Sequence, residues 1–153
     1  MDSTLQLQQL AGKWYINQTN FPMWLNGSRK NPTFNYELQH KKKQLGLKDV
    51  VAFDKNNQQK TIVGFDRPTD ETNTSFVWRG KGLLFIAKSE WKILHLDTTL
   101  NWMLIKFEKT LFTPAGYDVV SRQKILPQAT QKVVTEILRQ QGIKEILTTL
   151  EQQ

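Results

Sequence analysis

The chain has 153 residues, which suits a single domain over 1–153 and allows a real core without covalent staples. There is no cysteine, so a disulfide framework, a thiol nucleophile and a cysteine-rich zinc site are all excluded. The formal net charge of +7 admits nucleic acid or anionic lipid as partners, but the basic residues are scattered and show no nucleic-acid fold signature.

Residues 1–10 have neither a basic start nor an apolar stretch, so they do not read as a secretory signal. That fits either a cytoplasmic protein or one whose signal has been removed. No later apolar run approaches the ~20 residues of a membrane helix. Short strand-like segments then follow one another. The first is 12–20. The second, 31–40, alternates cleanly, with Phe34, Tyr36 and Leu38 on one face and Asn35, Glu37 and Gln39 on the other. Lys41, Lys42 and Lys43 form the one basic run, which reads either as a solvated turn blunting a sheet edge or as an anionic contact patch. Segments 47–54 and 60–67 follow, the latter stopped by Pro68. Segment 75–79 is ended by Gly80 and Gly82, and 90–96, 101–108 and 116–122 complete the set.

Near residue 126 the period changes. Pro127 opens a helix predicted over about 127–141, with Val133, Val134, Ile137 and Leu138 at helical spacing and Gly142 as its stop. The tail, 143–153, is open: 143–150 reads as another helical turn or two, and 146–150 equally as a short ninth strand.

Eight antiparallel strands followed by one helix point to an all-β, up-and-down barrel with a C-terminal α-helix packed on its outside. Closing the sheet removes its edges, and eight strands leave an interior filled by side chains or holding one small ligand. Alternation suggests the lining. Lys92 should face water, which turns Trp91, Ile93 and His95 inward. Lys106 and Glu108 should face out, which leaves Met103, Ile105 and Phe107 inside. The parity of Trp14 places Ile16 and Gln18 inward. Segment 47–53 has apolar residues on both faces and cannot be assigned.

Gly12-Lys13-Trp14 at the start of the first strand matches the G-x-W motif of the lipocalins, within the calycin superfamily. Val119-Val120-Ser121-Arg122 and the Pro-led helix resemble that family's third motif and terminal helix. The resemblance runs in order from residue 5 to about 145 and is closest in tone to the bacterial lipocalins. The second family motif, Thr-Asp-Tyr, is absent: Leu96-Asp97-Thr98-Thr99 stands in its place. The resemblance implies that Arg122 packs on Trp14 to plug the closed end, with residues 5–10 covering the floor. It implies an extracytoplasmic location, periplasmic or secreted. It also places loops 21–30, 54–59, 80–89 and 110–115 at the open end. There Phe21, Met23 and Trp24, apolar within a loop, either pack back on the rim or form a lid.

The function expected is non-enzymatic: binding, transport or storage of a fatty acid, lysophospholipid or similar amphiphile, with an anionic membrane as a further partner. An aromatic pocket with few polar groups suits such a ligand. The other readings are a filled barrel whose loops bind a protein partner, and a lipid-modifying or haem-binding barrel that uses His95. His40 falls at a strand end. No motif supplies His95 with a catalytic partner, and Asp118 and Glu108 are conjectural ones. No metal-ligand spacing or phosphate loop is present, and no cofactor is expected.

Overall fold

Period-2 alternation builds nearly the whole molecule, because each strand buries one face in a common interior. The computed structural model describes residues 4–82, 88–111 and 113–153. Part of the loop expected at 80–89 therefore lies outside the described residues. The strands are β1 (Gly12–Thr19), β2 (Lys30–Lys41), β3 (Gln44–Lys55), β4 (Gln58–Pro68), β5 (Ser75–Gly80), β6 (Lys88–Leu96), β7 (Trp102–Phe107) and β8 (Gly116–Ser121). Neighbours in sequence pair antiparallel from β2 to β8; β8 pairs with β1 and β1 with β2, which closes an eight-stranded barrel. Helix α1 (Pro22–Leu25) lies between β1 and β2, and α2 (Gln128–Gln140) follows β8. The tail adds β9 (Thr148–Thr149) beside β1, so the short-strand reading of the C-terminus holds.

Tight hairpins fix the register. Lys42 and Lys43 have φ of 51° and 65°, and Asn56 and Asn57 have 54° and 62°. Two consecutive positive φ values make a type I′ turn, whose twist matches that of the paired strands. The lysine run is thus the β2–β3 hairpin turn. It lies at the closed end of the barrel, since Gly12, where β1 begins, pairs with Tyr36 while β2 continues to Lys41.

Two bulges alter the faces expected from simple alternation. In β1 the register shifts between Ile16 and Gln18. The Asn17 amide there donates to the carbonyl oxygens of Gln123 and Lys124, at 3.0 and 3.3 Å. Gln18 then pairs with outward-facing Val119, so it does not turn inward as the parity of Trp14 predicts. In β6 the shift falls between Ile93 and His95. One extra residue on one strand exchanges its faces from that point on.

At the closed end, Trp14 is fully buried and its indole Nε1 donates to the Leu10 carbonyl at 2.8 Å. The Arg122 guanidinium lies 3.7 Å from the centre of the Trp14 ring. It donates to the carbonyl oxygens of Lys13 (3.1 Å) and Gln9 (3.0 Å). This tethers a short 3-10 turn, Leu7–Leu10, whose leucines are buried beneath the barrel. The stacked cation contributes about 0.5–2 kcal/mol. On the outside, Val134, Ile137 and Leu138 of α2 cover Trp102, Leu104, Val119 and Leu126.

Gly12 has φ of +104°, and a side-chain carbon there would lie 3.0 Å from Nη1 of Arg122. Both the backbone angle and the close approach demand glycine. Gly12→Ala should therefore destabilise the fold by about 1–3 kcal/mol, read as a lower urea midpoint with an unchanged slope.

Candidate ligand cavity

Above the floor the barrel interior opens into a cavity of about 420 Å³. Its wall is made by inward positions of successive strands: Phe34 from β2, Asp49 and Val51 from β3, Ile62 from β4, Trp78 from β5, Trp91 from β6, Phe107 from β7 and Asp118 from β8. Phe21, Met23 and Trp24 line its mouth, together with Lys88, Ser89, Thr110, Leu111 and Thr113. Trp24 is buried and meets Phe53 edge-on at 5.6 Å, so the apolar loop segment packs over the opening. A Cβ on Gly116 would come within 2.5–2.8 Å of the Phe21 ring. The missing side chain at Gly116 is the space into which Phe21 fits.

The rings form a continuous aromatic wall. Trp91 stacks on Phe76 at 4.4 Å between centroids and lies 6.0 Å from Tyr36 and 6.1 Å from Phe107. Phe107 in turn meets Phe21 at 5.6 Å. The Trp91 indole N–H donates to Oδ1 of Asp66 at 2.9 Å, which locks the ring's orientation.

Three carboxyls are buried in this apolar interior. Asp49, Asp66 and Asp118 are 4%, 0% and 1% exposed. Asp49 and Asp66 are diagonal neighbours on the inner face, since Asp49 pairs with Gly64 and Asp66 with Leu47. Burial raises both, and the negative charge of Asp49 raises Asp66 further, so this pair retains a proton well above the ordinary carboxylate range. Burial pushes Asp118 up to about 7, against the opposing effect of a hydrogen bond from Thr19. All three charges act on the buried Tyr36 hydroxyl, which is itself raised, mainly by burial.

The inward set read from the sequence divides into several groups. Phe34, Trp91 and Phe107 line the cavity. Ile16, Tyr36, Met103 and Ile105 belong to the packed inner core without lining it, and Ile93 is half-buried against that core. Leu38 keeps the parity of Tyr36, opposite buried Leu47, but does not reach the cavity. It lies on the part of β2 that runs past Gly12, below the floor, and is 36% exposed. His95 faces outward, because the β6 bulge exchanges faces just before it. It stacks on Trp102 at 5.0 Å, in the layer beneath α2, and Leu96 takes the inward position. Asp118 faces inward, so the conjectured pairing with His95 does not form.

Alternation alone missed Asp49, Val51, Ile62, Trp78 and Asp118. For Asp49 a signal was present: it shares parity with Leu47, Val51 and Phe53, all of which turn inward.

No family model and no curated protein matches the sequence. Solved structures do match. Insecticyanin from the tobacco hornworm Manduca sexta aligns at TM-score 0.74 and 14% identity, over 96% of this chain and 80% of its own. Lobster apocrustacyanin A1 aligns at 0.69 and 15%, over 95% and 79%. The siderocalin Ex-FABP, described as functioning through dual ligand specificities, aligns at 0.68 and 16%, over 95% of both chains. These proteins are lipocalins in fold. The chain has the lipocalin fold. At such low identity the likeness concerns architecture. In this lipocalin-fold chain the floor, the mouth and the cavity follow from its own residues.

The raised carboxyl of Asp118 makes stability depend on pH. Between 3.8 and about 7 the folded chain keeps a proton that the unfolded chain releases, so stability falls as pH rises through this window. Asp118→Asn has no charge to bury. Its melting temperature should exceed that of the parent by a few degrees at pH 8, at roughly 2–4 °C per kcal/mol, and the gap should shrink at pH 5.

Proposed function

We propose that this barrel binds and carries a small hydrophobic ligand in its cavity and performs no chemistry on it. The observation that supports this reading is the cavity itself: about 420 Å³, apolar and aromatic in its walls, plugged at one end and capped by α1 at the other. That volume falls in the range of ligand pockets, roughly 300–1,000 Å³. A filled barrel that acts only through its loops would not keep such a space. The lipid-modifying and haem-binding readings both relied on His95, which faces away from the cavity.

The ligand is an amphiphile, with fatty acids and lysophospholipids the first classes to test. Each methylene taken from water contributes about 0.8 kcal/mol. The apolar chain therefore lies against Phe34, Val51, Ile62 and Trp78, and where the head is anionic it stays at the rim, on the side of Lys88. The chain's positive charge favours an anionic membrane as donor.

Three of the five tryptophans, Trp24, Trp78 and Trp91, line the cavity. Titration with a fatty acid, a lysophospholipid and a fatty alcohol should change tryptophan emission saturably at one ligand per chain. Trp24→Ala should weaken binding roughly tenfold, or ~1.4 kcal/mol. No saturable change with any of the three would contradict the proposal.

A further inference from the structure

The walls of the cavity carry more acid than a purely apolar ligand requires. Asp49 and Asp118 both line it, and one carboxyl oxygen of each, Oδ1, is buried with no donor reaching it among the described residues; Asp49 shares a hydrogen bond with the Asp66 carboxyl when the pair holds a proton, whereas Oδ1 of Asp118 has no such neighbour. Buried polar groups in folded proteins are almost always partnered, and an orphaned carboxyl oxygen carries a penalty that a ligand can relieve. The two residues approach the cavity from β3 and β8, so they are not one crowded loop but two separate parts of its wall.

No ion pair among the described residues answers them. Among the described residues, the ion pairs are Lys88–Glu90, Lys106–Glu108 and Arg139–Glu136, and none involves an interior carboxyl. Lys88 reaches only the rim, where it stands 3.9 Å from Glu90. Arg122 is held at the floor by Trp14 and by the carbonyl oxygens of Lys13 and Gln9. The groups that face the two carboxyls from the other strands are Asp66 on β4, itself acidic, the neutral Tyr36 hydroxyl on β2, and Thr19 on β1. Around them stand the faces and edges of Phe34, Trp78, Trp91 and Phe107. Aromatic faces attract cations, more strongly where water is excluded. Among the described residues no group of three ligating side chains converges as a metal site. The chemistry that fits is an organic cation with an apolar body.

We propose that the cavity selects an amphiphilic amine, whose protonated amino group enters the barrel and takes the Asp118 carboxyl as its partner while the apolar part fills the aromatic wall. This inference rests on the carrier reading and sharpens it. A carboxylate ligand must keep its head at the rim, whereas an ammonium group can go to the carboxyl. An ionised carboxylate is required, so affinity for the amine rises with pH from 5 to 8. Over that range an alkylamine stays protonated, as a lysine amine does with its value of about 10.4.

The test compares octylamine, octanol and octanoate, which share one chain and differ in the head, by isothermal titration at pH 5, 6.5 and 8. Octylamine should bind at least tenfold more tightly than either of the others at pH 8, and this advantage should shrink at pH 5. In Asp118→Asn the amine-over-alcohol ratio should fall toward one, and retained octanol binding by the same variant shows that it is folded; an unchanged ratio in a variant that still binds octanol would overturn the amine proposal. Equal binding of octanol and octylamine, or tightest binding of octanoate, would overturn the amine proposal and leave the carrier reading standing. Binding of none of the three would overturn both.

Discussion

The stacking of one guanidinium on one indole makes the interior of this barrel a one-ended vessel. Arg122 lies over Trp14, and its two donors tie down Lys13 and Gln9, so the last barrel strand, the first strand and the N-terminal turn meet at a single point. Gly12 has to be glycine because its φ is +104° and a Cβ there would press on the guanidinium at 3.0 Å. With that end sealed, the whole wall above it can be given over to a cavity, and access is left to the end where α1 sits.

The second constraint is electrostatic. Burying carboxyls in an apolar barrel opposes their ionisation, and here three of them are buried beside the hydroxyls of Tyr36 and Thr19, with no ion pair to any of them among the described residues. Trp91 partly satisfies Asp66, Thr19 partly satisfies Asp118, and Asp49 and Asp66 hydrogen-bond each other when they share a proton, but among the described residues no further donor reaches the remaining oxygens. A barrel built only for stability would place leucine or valine at these positions. The arrangement costs stability at neutral pH and is understandable if a ligand supplies the missing charge. The same side chains then link stability, pH and ligand choice.

The architecture was legible because the strongest signals were local and periodic. The alternation of Phe34 and Tyr36, the flip at Lys106 in β7, and the change to helical spacing after Pro127 all report burial directly. Trp14 and Arg122 were legible only through the resemblance, since nothing in composition says that residues more than a hundred positions apart will stack. The site was less legible. Bulges leave no mark in a hydrophobic pattern, so Gln18 and His95 were placed on the wrong faces: a single inserted residue, at Asn17 or Leu94, reverses everything beyond it. Leu38 kept its parity but ran past the floor, because strand length and barrel stagger are not written in the alternation. Asp49 escaped because segment 47–53 carries apolar residues on both faces and its parity could not be assigned, and Asp118 because it was considered only as a partner for His95. Gly116 gave no signal of its own; its role appears only once Phe21 is seen against it.

The central claim is that the barrel holds one small amphiphile inside its aromatic wall. Native mass spectrometry of the protein equilibrated with a total lipid extract tests this most directly. One small-molecule adduct per chain is expected, retained under gentle desolvation and lost on unfolding. A bare chain mass, with nothing retained from the extract, would contradict it.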